Sequence, residues 1–417
     1  MQLKPNTLSA AALALLGSTG TQAADTGKWQ FDAATLVYSE ADGRVQAVEP
    51  KLRATRALEN DRSISAAITV DALTGASPNG AAPADRPQTF TSASGNKPYT
   101  TDAFETPLDD DFRDTRVALD GSFTTPVGAQ TLTTSLAASK EYDYLSISAG
   151  AVLSKDFNRK NTTISAGFNV AQDTIDAVGG APEPLSAMAA PGNPRAESSE
   201  TKQIYDLLLS VTQVLSPVSL LQLSYSMSQS DGYLNDPYKL LSVVDANGDP
   251  LRYVYEARPD TRLKQAVFAQ YKRFVFNRDV LDVSLRFMRD DWGISSETLD
   301  MTYRWNFSET RYLEPHVRYY LQGEADFYRA ALFDGEDTTL TEASADPRLG
   351  RFDAITLGLK YGQTLRSGNE WNVRLEGYTQ LGSTAGVPAQ AAAGLSRFDL
   401  DPSLDAVMLT AGYRFSW

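Results

Sequence analysis

The chain has 417 residues, a net charge of −14, no cysteine and 42% hydrophobic residues, with a mean hydropathy of −0.31. These values exclude a disulfide scaffold, a c-type haem attachment and a cysteine-based zinc site, and the acidic balance argues against nucleic acid as a partner. Beyond the first two dozen residues no run approaches the ~18 apolar residues of a membrane helix, yet aromatics make up 10% of the chain and tyrosine, at 19, leads them.

The chain opens on an export address. Lys4 supplies a positive start, residues 8–17 form a run of Leu, Ala, Ser and Gly, and Thr21-Gln22-Ala23 places small residues at the −3 and −1 positions of a cleavage site. Cleavage is expected after Ala23, with Ala24 as the alternative. Residues 1–23 are then a signal peptide and 24–417 a single domain.

That domain reads in period two. Ile64, Ala66, Ile68 and Val70 share one parity, with Ser63, Ser65, Ala67 and Thr69 on the other; Leu221, Leu223, Tyr225 and Met227 alternate with Gln222, Ser224, Ser226 and Ser228. Sixteen such runs centre on 29–39, 44–56, 62–72, 112–124, 129–139, 144–156, 161–174, 201–215, 218–229, 261–275, 280–289, 294–307, 311–324, 350–365, 370–382 and 404–417. Most are about the length that crosses a bilayer as a tilted strand. Every even link is short, such as Pro126-Val127-Gly128 or Ser216-Pro217. The long segments, 73–111, 175–200, 230–260, 325–348 and 383–403, are all odd links. The pattern predicts an all-β fold: an antiparallel transmembrane barrel of about 16 strands in the bacterial outer membrane, with both termini and the tight turns periplasmic and the long loops outside.

The last run ends on Tyr413, Phe415 and Trp417, alternating with Arg414 and Ser416, as expected of a terminal strand read by barrel-insertion machinery. Trp29, Tyr205, Tyr225, Tyr271, Tyr303, Trp305, Phe307 and Trp371 lie mostly near run ends and are expected in interfacial girdles beside lipid and lipopolysaccharide. With the first run starting near Trp29, an N-terminal plug domain is not expected, nor is a TonB-dependent receptor.

Four segments carry a family resemblance: residues 70–81 (VDALTGASPNGA), 231–239 (DGYLNDPYK), 286–299 (RFMRDDWGISSETL) and 344–354 (SADPRLGRFDA). Together they resemble the bacterial outer-membrane proteins catalogued as Domain of Unknown Function 3570. The resemblance implies an exported barrel without an assigned activity. It also implies, by gene association alone, a periplasmic redox partner bearing flavin or haem.

Chemistry is expected on the inward parity, where the second half of the chain is charged: Asp282, Arg286, Asp300, Arg304, Glu314, His316, Arg318, Glu324, Lys360, Arg374, Glu376 and Arg414. Interleaved signs predict an ion-paired lattice in a hydrated lumen, or a constriction that selects solutes. Asp109, Asp110, Asp111, Asp290 and Asp291 are expected to form a solvated acidic rim, since no calcium-loop spacing accompanies them. His316 is the only histidine, so a hydrolase would have to use it as its base; no nucleophile elbow is present, and no enzyme, metal or cofactor is expected. The five long segments together hold a net charge of −15, so strands and turns nearly balance. The resulting expectation is a pore for small polar solutes with an acidic, mildly cation-favouring mouth that salt screens. The alternative is a non-catalytic sleeve or docking partner for periplasmic redox proteins.

Overall fold

The computed structural model describes residues 27–92, 97–190, 199–276, 278–401 and 403–417. The proposed signal peptide and its cleavage site lie outside the described residues. Alternating side chains turn each run into a strand with one apolar and one polar face. The strands in chain order are β1 (Trp29–Glu40), β2 (Gln46–Leu58), β3 (Arg62–Pro78), β4 (Gln88–Thr91), β5 (Pro98–Thr101), β6 (Leu108–Val127) and β7 (Gln130–Lys140). There follow β8 (Tyr144–Phe157), β9 (Thr162–Ile175), β10 (Glu200–Ser216), β11 (Ser219–Gly232), β12 (Leu240–Val244), β13 (Pro250–Tyr255) and β14 (Thr261–Val275). The last are β15 (Asp279–Asp290), β16 (Ser295–Arg304), β17 (Arg311–Gln322), β18 (Leu332–Phe333), β19 (Arg351–Thr364), β20 (Glu370–Ser383) and β21 (Leu404–Ser416).

Sixteen of these close into one antiparallel barrel, in the order β1-β2-β3-β6-β7-β8-β9-β10-β11-β14-β15-β16-β17-β19-β20-β21. Each corresponds to one of the sixteen runs. Closure is physically necessary in lipid, where an open edge would leave backbone groups unpaired. The seam is sealed in register: Phe31 faces Phe415, and Trp29 and Trp417 exchange backbone hydrogen bonds of 2.9 and 2.8 Å. Leu136, Ile147, Leu223, Leu357 and Leu375 point outward and are exposed on the bare protein, which marks the lipid-facing surface. Among the described residues no helix is long and apolar enough to cross a membrane.

The other five strands belong to the outer loops, which are not open segments. β3 and β6 run on past the expected span, shortening the first long loop to residues 79–107. β12 and β13 form a hairpin whose turn is fixed by Asp245: its Oδ1 accepts the backbone N–H groups of Asn247 (2.8 Å) and Asp249 (3.0 Å). β18 adds to β12 in parallel, and β4 pairs with β5. Loop 79–107 leaves the ring between its third and fourth strands, and loop 233–260 between its ninth and tenth. Anchors six places apart in a sixteen-strand ring stand roughly 25–30 Å from each other. The two loops nevertheless meet: Ala82 N–H donates to Ser242 Oγ (3.0 Å), and Gln88 Nε2 donates to the Tyr253 hydroxyl (2.7 Å). The loops therefore cross the bore at its outer end.

They do so because they carry their own apolar core. Ala82, Val244, Ala331, Ala391, Leu395 and Phe398, drawn from four loops spaced around the ring, pack in one cluster; Leu241, Val243, Val254, Leu332, Ala343 and Ala345 form the next. Leu241, Val243, Val244, Leu332 and Leu395 are fully buried, each stabilising the assembly by about 1.5–3 kcal/mol. The outer loops form a folded cap.

Candidate functional site: a charged lumen beneath a folded cap

The inward face divides into two sectors. On β7 to β11 its middle is lined by small uncharged residues: Ser135, Ser148, Gly150, Ser154, Ser165 and Gly167, then Ser210, Ser224 and Ser226. Hydroxyls pair across strands, Ser154 with Ser165 at 2.8 Å and Ser210 with Ser224 at 2.9 Å. In this sector charge is concentrated near the outer end, where Lys202 Nζ lies 2.9 Å from Asp173.

The facing sector, β16 to β20, carries a connected lattice. Arg304 Nε donates to Glu314 Oε2 (2.8 Å), Arg374 donates to Glu314 Oε1 (3.0 Å), and Lys360 Nζ stands 3.9 Å from the same carboxylate. Arg374 also lies 3.5 Å from Glu376. His316 is clasped on both sides, its Nδ1 2.6 Å from Glu376 and its Nε2 3.2 Å from Asp300. Arg318 reaches Asp300 at 3.9 Å. Pairing ladders dictate these contacts: Asp300 faces Arg318, Glu314 faces Lys360, and Lys360 faces Arg374. Nearby, Asp282 holds Lys272 at 3.0 Å, and Arg414 crosses the seam to Asp32 at 2.5 Å. Gly362 makes the lattice flat: a Cβ there would overlap the Tyr312 ring, so only glycine lets the ring lie against the wall beneath Arg304, 4.1 Å from its centroid. The wall is wet, because the inward side chains of Arg318 and Arg414 remain 50% and 56% exposed.

Most lumen candidates fall where the alternation places them. Glu324 does not; it lies past the end of β17 and pairs with Arg351 at 2.8 Å. The acidic rim needs more correction. Asp290 is buried: its Oδ2 accepts Arg262, while its Oδ1 accepts the N–H groups of Trp292 and Ile294 and fixes that turn. Asp109 is buried and accepts the Ser92 hydroxyl at 2.8 Å. Asp291 is exposed but accepts Leu263 N–H. Asp110 and Asp111 lie within β6, their side chains outside the described residues. Asp109 and Asp290 depart from the expected solvated rim because a sequence shows clustered acids and not the hydroxyl, arginine and N–H groups that loop folding brings to them. At the periplasmic end, Tyr413 and Trp417 are exposed, and Phe415 stacks on Phe31 at 5.0 Å.

The cap holds a buried ion nest that sequence reasoning missed. Arg258 donates to Glu256 (2.9 Å) and Asp346 (2.8 Å), Arg348 donates to Asp346 (2.9 Å) and Asp236 (2.7 Å), and Ser344 donates to Glu256 (2.5 Å). Lys239 donates to the Pro78 carbonyl at the rim of β3. Burial pushes the Asp346 carboxyl up, but Arg348, Lys239 and Arg258 outweigh it and hold that group well below the usual range. Glu256 ends above its ordinary value: burial raises it, and Asp236 and Asp346 add to that against the pull of Arg258. The nest ties loop 233–260 to loop 323–350. A signal for this folding was present in the apolar run Leu240–Val244 followed by Asn247-Gly248, which is hairpin chemistry.

A closed sixteen-strand barrel with periplasmic turns and a wet, ion-paired lumen has the architecture of an outer-membrane protein. Among known families, the one described as "Protein of unknown function (DUF3570)" matches residues 5–415. The chain belongs to the DUF3570 family. No curated protein matches it. Solved structures similar in outline to this DUF3570 barrel include the siderophore receptor PirA from Acinetobacter baumannii, at 10% identity over 85% of this chain and 53% of that one, TM-score 0.42. CdiB from Acinetobacter baumannii is 9% identical over 94% and 60%, TM-score 0.47. A bacterial polysaccharide outer membrane secretin is 8% identical over 93% and 98%, TM-score 0.43. The DUF3570 barrel thus spans little more than half of the PirA and CdiB chains, and these likenesses say nothing of its activity.

Proposed function

We propose that this DUF3570 protein is a non-enzymatic transport barrel of the outer membrane, passing small polar solutes through a hydrated lumen whose outer end is governed by the cap. The observation that carries this reading is the convergence of four loops on one dry cluster across the bore, above a wall whose arginines stay wet. Loops that merely decorated a rim would have no reason to bury Leu395 against the hairpin turn at Gly248 from the far side of the ring. The outer surface keeps exposed acids at Asp85, Asp102, Glu105, Glu183, Asp260 and Asp326, which supports a mildly cation-favouring outer mouth at low ionic strength. His316 has both ring nitrogens engaged by carboxylates, leaving neither free to serve as a base.

The test is conductance of the purified protein in planar bilayers, with and without the hairpin of residues 240–255. Low or flickering conductance that becomes large and steady on deletion supports a cap-governed channel. A silent barrel in both forms, still heat-modifiable in SDS gels, overturns it. A second reading, a sleeve for periplasmic redox proteins, draws on one feature: among the described residues the periplasmic end carries only short turns, so that end is the accessible one. Co-purification of a flavin- or haem-bearing protein from envelope extracts would favour it.

A further inference from the structure

On β15 to β20 the inward carboxylates are spoken for. Asp282, Asp290, Glu314 and Glu376 each have a lysine or arginine nitrogen within 4.0 Å, Asp300 has His316 at 3.2 Å and Arg318 at 3.9 Å, and Glu370 accepts the Tyr312 hydroxyl at 2.8 Å. The inward cations are not matched in the same way. Arg286 on β15 and Lys264 on β14 have no acid within that distance among the described residues, and Arg318 on β17 touches only Asp300, which already engages His316. The surplus sits in one patch. Arg286 faces Thr298 of β16, Lys264 faces Asp290, whose carboxylate is bound to Arg262 instead, and Arg318 faces Asp300, the next inward residue after Thr298. Thr298 itself faces Tyr320, so Arg318 lies two strands and two residues away from Arg286, about 12 Å between backbones. Two side chains of arginine length can close that gap on one small anion. Across β11 the wall offers the hydroxyls of Ser224, Ser226 and Ser228, and the acid beyond Ser228, Asp206 of β10, is buried and accepts Asn169 Nδ2 at 3.0 Å.

We propose that Arg286 and Arg318, with Lys264 above them, form an anion-binding subsite in the lumen wall, reached from the periplasmic end, for a small solute bearing a carboxylate or phosphate group. Each guanidinium can present two parallel N–H donors to such a group, and a lone arginine in a half-buried wall gains most from an anion that replaces the water it has lost. The acidic outer surface repels the same anions, so the subsite would be filled from the periplasm. This inference rests on the transport reading for its purpose but not for its test.

The experiment is calorimetric titration of the full chain in a non-ionic detergent with inorganic phosphate and, separately, with succinate. Saturable binding of at least one is expected, and whichever binds more tightly assigns the chemical class. Arg286→Gln and Arg318→Gln should each weaken that binding about tenfold or more, as loss of a charge-assisted hydrogen bond does, while Arg278→Gln at a periplasmic turn leaves it unchanged. Heat-modifiable migration confirms that each variant is folded; if a glutamine variant fails this check, the corresponding lysine substitution replaces it, with weakened binding again expected. Binding of neither anion, or equal binding by wild type and the folded Arg286 and Arg318 variants, overturns the inference. A protein that conducts without binding removes the subsite and leaves the transport reading; one that binds but stays silent does the reverse.

Discussion

In the cap, Arg258 meets Asp346 and Glu256 through side chains that are 10% exposed for the arginine and 1% for each acid. In the lumen wall, Arg304, Arg318 and Arg414 make similar pairs while remaining 37%, 50% and 56% exposed. The same residue types thus do different things. A dry ion pair is intolerant of losing a partner, because an orphaned charge cannot recover its hydration. A wet pair loses little when broken, because water replaces the lost partner. The cap therefore uses charge to specify how loops fit together, and the wall uses it to set a field in water.

The largest effect should come from Asp346→Ala. It takes from Arg258 one of the two acids that meet it in a dry site and leaves Arg348 with Asp236 alone, a loss of about 3–5 kcal/mol, and should expose the outer loops to protease on intact cells while the barrel keeps its heat-modifiable migration. Leu241→Ala removes a fully buried side chain from the cap core and should cost about 2–5 kcal/mol by the cavity it leaves. The same protease assay reports it, and unlike the lumen variants it should respond little to salt.

Acid gives a milder version of the first change. Because the folded cap depresses the Asp346 carboxyl, its contribution is fully present above the ordinary carboxylate range and is lost as pH falls below that range toward the depressed value. Loop protection from hydrogen exchange should hold at neutral pH and fall only in strong acid, and the Asp346→Ala protein should lack that response. Glu256, held above its ordinary value, works in the opposite sense: its protonated form is the easier one to bury.

The smallest stability effect, about 1 kcal/mol or less, is expected for Asp32→Asn at the barrel seam, where Asp32 and its partner Arg414 stay 35% and 56% exposed. It leaves Arg414 without its acid, so the measurable consequence is a reversal potential shifted toward anions. A large loss of stability there would mean that the wall is drier than its exposure indicates.

The barrel was legible because period two repeats over most of the sixteen strands, all but the first two and the 261–275 run keeping it clearly, and a one-residue slip would put apolar residues inside. The inward positions of Asp282, Asp300, His316 and Glu376 followed from parity alone. Parity does not say which neighbour a side chain reaches. Glu376, not Glu314, takes His316 Nδ1, and Asp32, on a weakly alternating first run, proves to be the partner of Arg414. The cap was illegible for a different reason. Its contacts join segments more than 80 residues apart, such as Arg258 with Asp346 and Ala82 with Ser242, and local pattern carries no record of them. Acid clusters at Asp109 and Asp290 read as solvated because the groups that satisfy them are remote in sequence or are backbone N–H.

A folded cap across a hydrated lumen must throttle any current through the barrel. Single-channel recording of wild type beside the protein lacking residues 240–255 tests it most directly. Low, intermittent conductance is expected of the first and a large, steady one of the second. Equal, large and steady conductance from both would contradict it.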